Sequence, residues 1–284
     1  MNKEIIIDRI HLHDLPALLK LAESVGWFFD PKRANMYVSS GTMYGHRTGN
    51  RFISSAALFQ YGAVFSSLGI VIVHPEYQGQ GLGKSLVQRC LHQAEQMNMP
   101  VSLVATSEGY PLYKSLGFRT FGSIHRLSLK NLARQRLDIG CSGLDELCAA
   151  DLPDIIRLDK IVFGADRSRL YRQLFKQMDT GFIVKEQDKR IRGFVMTFQV
   201  GTVLHIGPLL AEHAEIALRL IQPFLFFSTQ SVRIDVPDKQ IYFIKQLQKL
   251  GFQETLISPL MLKNADTLPG KRDYMFAIAD PALG

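Results

Sequence analysis

The stretch Leu68–Gln93 reads LGIVIVHPEYQGQGLGKSLVQRCLHQ, and the rest of the chain is organised around it. Its β-branched apolar run, Ile70–Val73, predicts a buried strand. Pro75 ends that strand, because proline lacks the backbone donor of the sheet ladder. After the glycines, apolar residues recur at helical spacing, at Leu86, Val87, Cys90 and Leu91. The stretch therefore predicts a strand, a glycine-rich turn and a helix in succession.

The turn Gln78–Lys84, QGQGLGK, lies at the N-terminus of the predicted helix. The first backbone N–H groups of a helix have no intrahelical acceptor, and the helix dipole adds positive potential there. Glycines let a ligand approach the backbone, so the turn predicts a phosphate cradle. The dinucleotide fingerprint fails because position 84 is lysine, and the Walker A motif fails because position 78 is glutamine. A turn that only packs the helix on the sheet is the structural alternative.

The turn does match the pattern Q-x-x-G-x-G, carried by Gln78, Gly81 and Gly83 after a V-H-P strand end. This pattern resembles the acyl-CoA loop of the GNAT N-acetyltransferase superfamily. A second segment, GYPLYKSLGF at residues 109–118, resembles the L-Y-x-x-x-G-F motif of the same family. The two motifs occur in the family's order, so the first half of the chain is identified as similar to a GNAT catalytic domain.

The second motif follows a strand predicted at Val101–Ala105. It lies on a short helix predicted over Ser107–Leu116, and Gly117 is placed at the C′ position of that helix. Thr106 stands where the family usually has asparagine, which removes one amide contact expected for the pantetheine arm.

The resemblance implies a set of residues that bind acetyl-CoA as cosubstrate. In the family, the pantetheine arm fills a V-shaped gap beside the strand that precedes the loop. The implied cofactor-binding residues are Val71, Ile72, Val73, Gln78, Gly79, Gln80, Gly81, Leu82, Gly83, Lys84 and Tyr113. Tyr113 is also the implied catalytic residue, which protonates the departing thiolate. Glu76, Glu108 and His74 lie near the motifs, but spacing places none of them as the general base.

Length and composition indicate an ordinary folded protein. A chain of 284 residues predicts two domains, and 46% hydrophobic residues suffice for packed cores. The N-terminal residues do not resemble a signal peptide, and no apolar run approaches the length of a membrane span. Three cysteines without a C-x-x-C pair predict reduced thiols, with no disulfide framework and no metal site. We therefore expect a cytoplasmic protein that is not inserted in a membrane.

The formal net charge of +7 has two interpretations. It can attract polyanions, or it can be the property of a mildly basic surface. The sequence contains no long run of Lys and Arg and no signature of a nucleic-acid-binding fold. We therefore expect no nucleic-acid partner, and the phosphates of CoA are the one anion for which the sequence specifically argues.

The first half is predicted to contain an antiparallel meander. Strands predicted at Thr42–Thr48, Arg51–Gln60 and Gly62–Val73 lead into the loop, and Phe121–Leu129 is expected to close this half. Two helices precede the meander, and in GNAT proteins the region between them lines the acceptor side of the cleft. By resemblance, Trp27 and Phe28 are candidates for that wall. An aromatic core beneath a loop is the alternative for both residues.

The second half repeats the order of elements after a polar linker at Lys130–Leu137. Residues 1–130 are predicted to form the catalytic domain and residues 137–284 a degenerate GNAT-like domain, structural or acceptor-binding, as in two-domain bacterial GNAT proteins. Aligning Gly251-Phe252 with Gly117-Phe118 compares the two motifs between the halves. In the second half the loop positions fall on Glu212, Glu215 and Ala217, and the tyrosine position falls on Leu247.

Acidic groups at a helix start repel a pyrophosphate, so this half is not expected to bind CoA in the usual way. The pair Asp166-Arg167 has two interpretations. In the structural one, Asp166 caps the helix that follows. In the functional one, Arg167 is a candidate to hold a carboxylate of the acceptor, since guanidinium groups bind carboxylates through paired hydrogen bonds.

The sequence thus predicts an α+β fold of two tandem GNAT-like domains, each a mixed, mainly antiparallel sheet flanked by helices. The predicted activity is that of an acetyl-CoA-dependent N-acetyltransferase, in EC class 2.3.1, which acetylates a primary amine by direct attack in a ternary complex. A small-molecule amine is the expected acceptor, and a protein acceptor stays open. The alternative is a non-catalytic acyl-CoA-binding module that acts as a sensor or regulator.

Overall fold

The structure is a computed structural model that describes residues 5–130, 143–227 and 230–284. The first half contains β1 Ile6–Ile10, α1 Leu15–Glu23, α2 Pro31–Ser40, β2 Thr42–Thr48, β3 Arg51–Phe52, β4 Ser54–Tyr61, β5 Phe65–Val73, α3 Leu82–Glu95, β6 Val101–Val104, α4 Tyr110–Ser115 and β7 Arg119–Leu129. The second half contains β8 Asp145–Glu146, α5 Leu152–Phe163, α6 Ser168–Gln177, β9 Thr180–Lys185, β10 Ile191–Val200, β11 Val203–Ala211, α7 Ala214–Phe227, β12 Ser231–Pro237, α8 Ile241–Lys249, β13 Gln253–Lys263 and β14 Met275–Ala277. Of the predicted linker Lys130–Leu137, only Lys130 is among the described residues, and Cys141 lies outside them.

Local sequence signals set several helix starts. Asp30 accepts a hydrogen bond from the backbone N–H of Arg33 at 2.7 Å, and Pro31 occupies the first turn of α2. Asp14 precedes α1 but does not cap it. Its carboxylate instead accepts the N–H of His11 at 2.9 Å and pairs with Arg47 at 2.6 Å. The Asp14 side chain therefore stabilises the turn before α1 and its contact with β2, and does not cap the helix.

All 14 strands of the described residues belong to one sheet. Along it the order is β1-β2-β4-β5-β6-β13-β7-β12-β11-β10-β9-β8, with β3 paired to β2 and β14 paired to β11. Both halves therefore contribute to one continuous sheet, and the pairing is antiparallel except at β5–β6 and β11–β12.

The two halves exchange their closing strands. β7 was expected to close the first half, but β13 takes the place beside β6, with Leu260 opposite Val104 and Lys263 opposite Val101. β7 instead pairs with β12 on one side and with β13 on the other. Sequence reasoning missed the exchange because both strands end equivalent repeats and neighbouring segments usually pair.

Three apolar clusters hold the helices against the sheet. One packs α3 and α4 on the first half, with Leu86, Cys90 and Phe118 fully buried or nearly so. A second packs α7 and α8 on the second half. The third lies between the halves and joins α1, α2, α5 and α6 with the C-terminal residues 278–283. The burial of Cys90 agrees with its predicted place in a core.

Candidate active site

The glycine-rich turn Gln78–Lys84 and the strand before it, β5, lie beside a gap in the sheet. β5 and β6 run parallel but pair only through Ser66 with Val101 and Ser67 with Ser102. Beyond Ser67, the edge of β5 that faces β6 has no strand partner in the described part of the chain. Since β6 is covered on its other side by β13, the opening is bounded by a strand on each side.

A bulge in β5 lies at the level of this gap. The register with β4 shifts between Ser55 and Ala57, so that Ile70 and Val71 stand opposite one residue. Ile70 has a φ of 54°, which is rare for a β-branched residue, and its carbonyl accepts the Ser55 hydroxyl at 2.8 Å. Backbone strain of this kind concentrates at functional sites. Nothing in the apolar run Ile70–Val73 pointed to the bulge before the structure.

The glycine-rich turn lies at the N-terminus of α3, as the sequence predicts. Gly79 and Gly81 each have a φ of 76°, and Gly81 is the residue that precedes the helix. The backbone N–H groups of residues 79–84 have no acceptor among the described residues. The side chain of Gln78 donates to the carbonyl of Val73 at 3.3 Å, which ties the loop to the end of β5. Val73 also packs under Gly83, where an added Cβ would lie 3.3 Å from it.

This geometry predicts a selective effect for Gly81→Ala. The left-handed conformation costs a non-glycine residue about 1–2 kcal/mol, although a Cβ there meets no protein atom within 4 Å. We expect the free energy of unfolding, measured by urea denaturation, to fall by that amount. We also expect a roughly tenfold loss of acetyl-CoA affinity, measured by calorimetry. Gly26→Ala is the matched control, since Gly26 has a φ of 73° and equally open surroundings. Equal acetyl-CoA affinity in the two variants would contradict a role for the turn in binding.

Tyr113 lies on α4, in the same apolar cluster as Val71 of β5 and Leu103 of β6. Its side chain is 8% exposed, and its hydroxyl has no hydrogen-bond partner among the described residues. Burial raises the pKa of Tyr113 to about 12, so the phenol stays protonated at neutral pH. The ring packs against the backbone of Gly109, where an added Cβ would come within 2.8 Å of the ring. The Tyr113 hydroxyl is therefore an unpaired donor in the same apolar cluster as residues of β5 and β6, the two strands that border the gap.

The side chains considered as general bases lie in different settings. Glu76 is 71% exposed, and its backbone N–H donates to the ring of His74 at 3.3 Å. Glu108 is exposed. His46, which the sequence analysis did not single out, is buried under the start of α3, with Ser54 at 2.7 Å and Ser85 at 3.1 Å from its two ring nitrogens. Burial lowers the pKa of His46, so its ring is neutral and fixes α3 against the sheet.

The three predicted acceptor-side residues do not lie together. Trp27 packs on Phe29, with ring centroids 6.0 Å apart, against the cluster between the halves. Phe28 is 62% exposed and lines a cavity of about 470 Å³ between the start of α2 and the β10–β11 hairpin. Arg167 is 2% exposed and lies in the interior. There it pairs with Asp159 through Nη2 at 2.5 Å and Nε at 3.0 Å.

A second cavity, of about 180 Å³, lies beside the β5–β6 gap, on the sheet face opposite α3. Ser102 and Val104 of β6 line it, and Ser102 is the last β6 residue that pairs with β5. Arg272, which the sequence analysis missed, also lines it. Only the long-range contacts of the folded chain bring that arginine to the cavity.

In the second half, the matching gap is filled. β11 and β12 pair in parallel as far as Ile206 and Ile234, and β14 then pairs with β11 at Leu209 and Leu210. The chain beyond β14 passes so close to Gly207 that an added Cβ would lie 2.2 Å from the Ile278 carbonyl. Glu212, which was predicted to start the helix, precedes α7 and pairs with Arg192 at 2.7 Å. In the second half, a β-strand therefore fills the gap between β11 and β12, whereas the equivalent gap between β5 and β6 in the first half stays open.

Fold and site together define a GNAT-type acyltransferase. Family models for the acetyltransferase (GNAT) domain match residues 24–126 and residues 155–277. The chain therefore belongs to the GNAT acetyltransferase family and has two GNAT domains in tandem, which confirms the predicted family and α+β fold class. GNAT acetyltransferases generally use acetyl-CoA and act on amines.

Similar proteins span nearly the whole chain. The uncharacterized N-acetyltransferase YitH of Bacillus subtilis (strain 168) is 29% identical over 287 residues, covering 99% of this chain and 100% of its own length. Holothin acyltransferase of a Pseudoalteromonas species is 26% identical and covers 82% of this chain and 78% of its own. A crystal structure from Pyrococcus horikoshii, described as an acetyltransferase, superposes with a TM-score of 0.80 at 18% identity, covering 100% and 97% of the two chains. That likeness supports the fold alone.

Two features are absent from the described residues. None of their helices combines the length and the apolar character that crossing a bilayer requires. No group of three or more His, Cys, Asp or Glu side chains is arranged there to hold a metal ion.

Proposed function

We propose that the first half transfers an acetyl group from acetyl-CoA to a small primary amine, by direct attack within a ternary complex. The row of free N–H groups at residues 79–84 suits a pyrophosphate, because the start of α3 adds its dipole to them. The open edge of β5 from Val71 to Val73 suits an extended pantetheine arm, which needs backbone partners. Gln78, Gly81 and Gly83 keep the places that the family pattern gives them.

Each group then has a defined task. The amine nitrogen forms a bond to the thioester carbon, and the bond between that carbon and sulfur breaks. Backbone groups at the β5 bulge polarise the thioester carbonyl. The amine and the thioester, bound side by side, react as if each were present at a very high concentration. Tyr113 gives its proton to the sulfur and regains one from water, while the proton that the amine loses leaves through solvent. No side chain is assigned as the base.

The raised pKa of Tyr113 is compatible with this role. A free thiol has a pKa near 8.5, so in water a phenol would not readily protonate a thiolate. In the same apolar surroundings the thiolate is also destabilised, because burial penalises whichever form is charged. The neutral phenol with an unpaired O–H thus acts as a donor that is protonated throughout the physiological range.

The observation that carries the proposal is the contrast between the two gaps. The β5–β6 gap is open beside a cradle of free N–H groups, whereas β14 fills the β11–β12 gap. We therefore expect calorimetric titration with acetyl-CoA to give one site per chain. Two sites would refute the distinction between the halves, and the absence of binding would refute the proposed function itself.

A further inference from the structure

The smaller cavity combines an apolar wall with one unusual cation. Its walls come from β6, from the exchanged strands β7 and β13, and from the segment that leads into β14. Val104 lies two residues beyond the last β5–β6 pair, so the cavity reaches the point where the gap begins to open. A molecule in the cavity would lie across the sheet from α3, against the strand β6 that bounds the gap on one side.

Arg272 has a buried guanidinium without an acid partner. Its Nε donates to the carbonyl of Pro269 at 2.9 Å, and the guanidinium carbon lies 3.9 Å from the centroid of the Phe163 ring. Its Nη2 is closed off from solvent and has no hydrogen-bond partner. Within the described ranges, no carboxylate forms an ion pair with it.

The other buried arginines of this region are neutralised. Arg167 pairs with Asp159, and Arg33 pairs with Asp280. Asp159 is already engaged by both Arg167 and the hydroxyl of Tyr171, so it cannot also satisfy Arg272. A buried charge left without a partner is costly. Burial, together with the positive charge of Arg167, lowers the pKa of Arg272 to about 9, and the negative charge of Asp159 offsets this only in part.

We propose that this cavity is the acceptor site and that Arg272 binds a carboxylate carried by the amine acceptor. The inference rests on the proposed function, since it assigns the acceptor class of that same site. The planar fork of a guanidinium matches the two oxygens of a carboxylate. The small volume fits a compact molecule such as an amino acid, and it excludes a folded protein segment.

Acidic side chains in the same lining support an acceptor that carries an ammonium group. Asp238 and Asp273 line the cavity, and so does Lys239. Asp238 accepts the backbone N–H of Ser123 at 2.8 Å, whereas Asp273 lies 3.4 Å from Lys239, which offsets its charge. Asp238 is therefore the carboxylate that favours a cationic amine. An acceptor that carries both an amine and a carboxylate matches the charges of Asp238 and Arg272.

The wild-type protein tests the inference without any substitution. The standard L-amino acids, β-alanine and γ-aminobutyrate are assayed with acetyl-CoA, each beside its primary amide. We expect at least one acid to be acetylated with a kcat/KM roughly ten- to hundredfold above that of its amide, the usual effect of a hydrogen bond to a charged group. Equal or better use of the amides, or no turnover of any acid by a chain that binds acetyl-CoA, would overturn the inference.

Variants of Arg272 then connect the preference to this side chain. Arg272→Gln leaves no charge behind, because Arg272 has no ion-pair partner, and we expect it to abolish the preference by raising KM for the acid alone. Arg272→Lys is expected to restore part of it. Arg157→Gln, which removes an exposed arginine on α5, is the control and should retain the preference. A preference that survives in Arg272→Gln would contradict the assignment, whereas loss of acetyl-CoA binding by the wild type would refute the proposed function instead.

Discussion

Tyr113→Phe is expected to lower kcat by roughly 10²- to 10⁴-fold while acetyl-CoA affinity stays close to that of the wild type. The substitution removes one hydroxyl and keeps the ring, which packs on Phe118 with centroids 6.1 Å apart. The hydroxyl has no hydrogen-bond partner among the described residues, so its removal leaves no other group unsatisfied. The loss should therefore fall on proton transfer to the thiolate and not on folding. Steady-state kinetics and calorimetry with acetyl-CoA measure the two quantities separately.

A neighbouring tyrosine provides the control for this experiment. Tyr110 lies on the same helix, and its hydroxyl is 3.2 Å from that of Thr120, away from the unpaired donor. Tyr110→Phe should leave kcat within about twofold of the wild type, as surface changes usually do little. The pH profile adds a second check. Because the pKa of Tyr113 is raised to about 12, the wild-type rate should not fall on the alkaline side below about pH 10 through its ionisation. Unchanged turnover in Tyr113→Phe would remove the acid role.

The sequence predicted the parts of the site that local chemistry specifies. The strand end at Val73, the turn with Gly81, and the helix that carries Tyr113 lie within about ten residues of their own signals, so their conformations follow from propensity and turn geometry. The short helix predicted over Ser107–Leu116 agrees with α4, Tyr110–Ser115, to within a few residues for the same reason. The chemical roles of these residues remain predictions, which the Gly81 and Tyr113 experiments test.

The exchange of β7 and β13 could not be predicted from local pattern. Both strands have the same length, and each can present its apolar face to either half. Their exchange depends on which pairing the whole sheet favours, and that is a property of contacts far apart in sequence. The filling of the second gap by β14 has the same origin. β14 has only three residues, Met275–Ala277, and its position comes from pairing with β11.

Arg272 illustrates a second limit of sequence reasoning. The sequence analysis made Arg167 a candidate to hold an acceptor carboxylate, because guanidinium groups bind carboxylates through paired hydrogen bonds. In the structure Arg167 is held by Asp159 and by the carbonyl of Gly284 at 2.8 Å, so the unpaired guanidinium is the one at Arg272. Which of two arginines has an acid partner depends on the fold of three separate segments. A single sequence holds no local signal for that difference.

Asp159→Asn is expected to reduce the free energy of unfolding by about 3–5 kcal/mol, the usual cost of removing one partner from a buried ion pair. Asp159 is 1% exposed and accepts hydrogen bonds from Arg167 and, at 2.9 Å, from Tyr171. Its charge is also the nearest compensation for Arg272, whose pKa it raises. The variant therefore leaves two guanidinium groups in the interior without a carboxylate. Urea denaturation of the full chain measures the change.

Two comparisons show whether the effect arises from the buried charge. Asp154→Asn breaks the exposed i,i+3 pair with Arg157 on the same helix and should cost less than about 0.5 kcal/mol. Asp159→Leu combined with Arg167→Met removes both charges, so it should be less destabilising than Asp159→Asn alone, since apolar replacement of a whole buried pair is often tolerated. If the double variant is as unstable as the sum of its singles, the cost comes from packing around Phe163 and not from an unpaired charge. Adding Arg272→Gln to Asp159→Asn should then recover part of the lost free energy of unfolding, because it removes one of the two buried guanidinium groups that have no carboxylate partner.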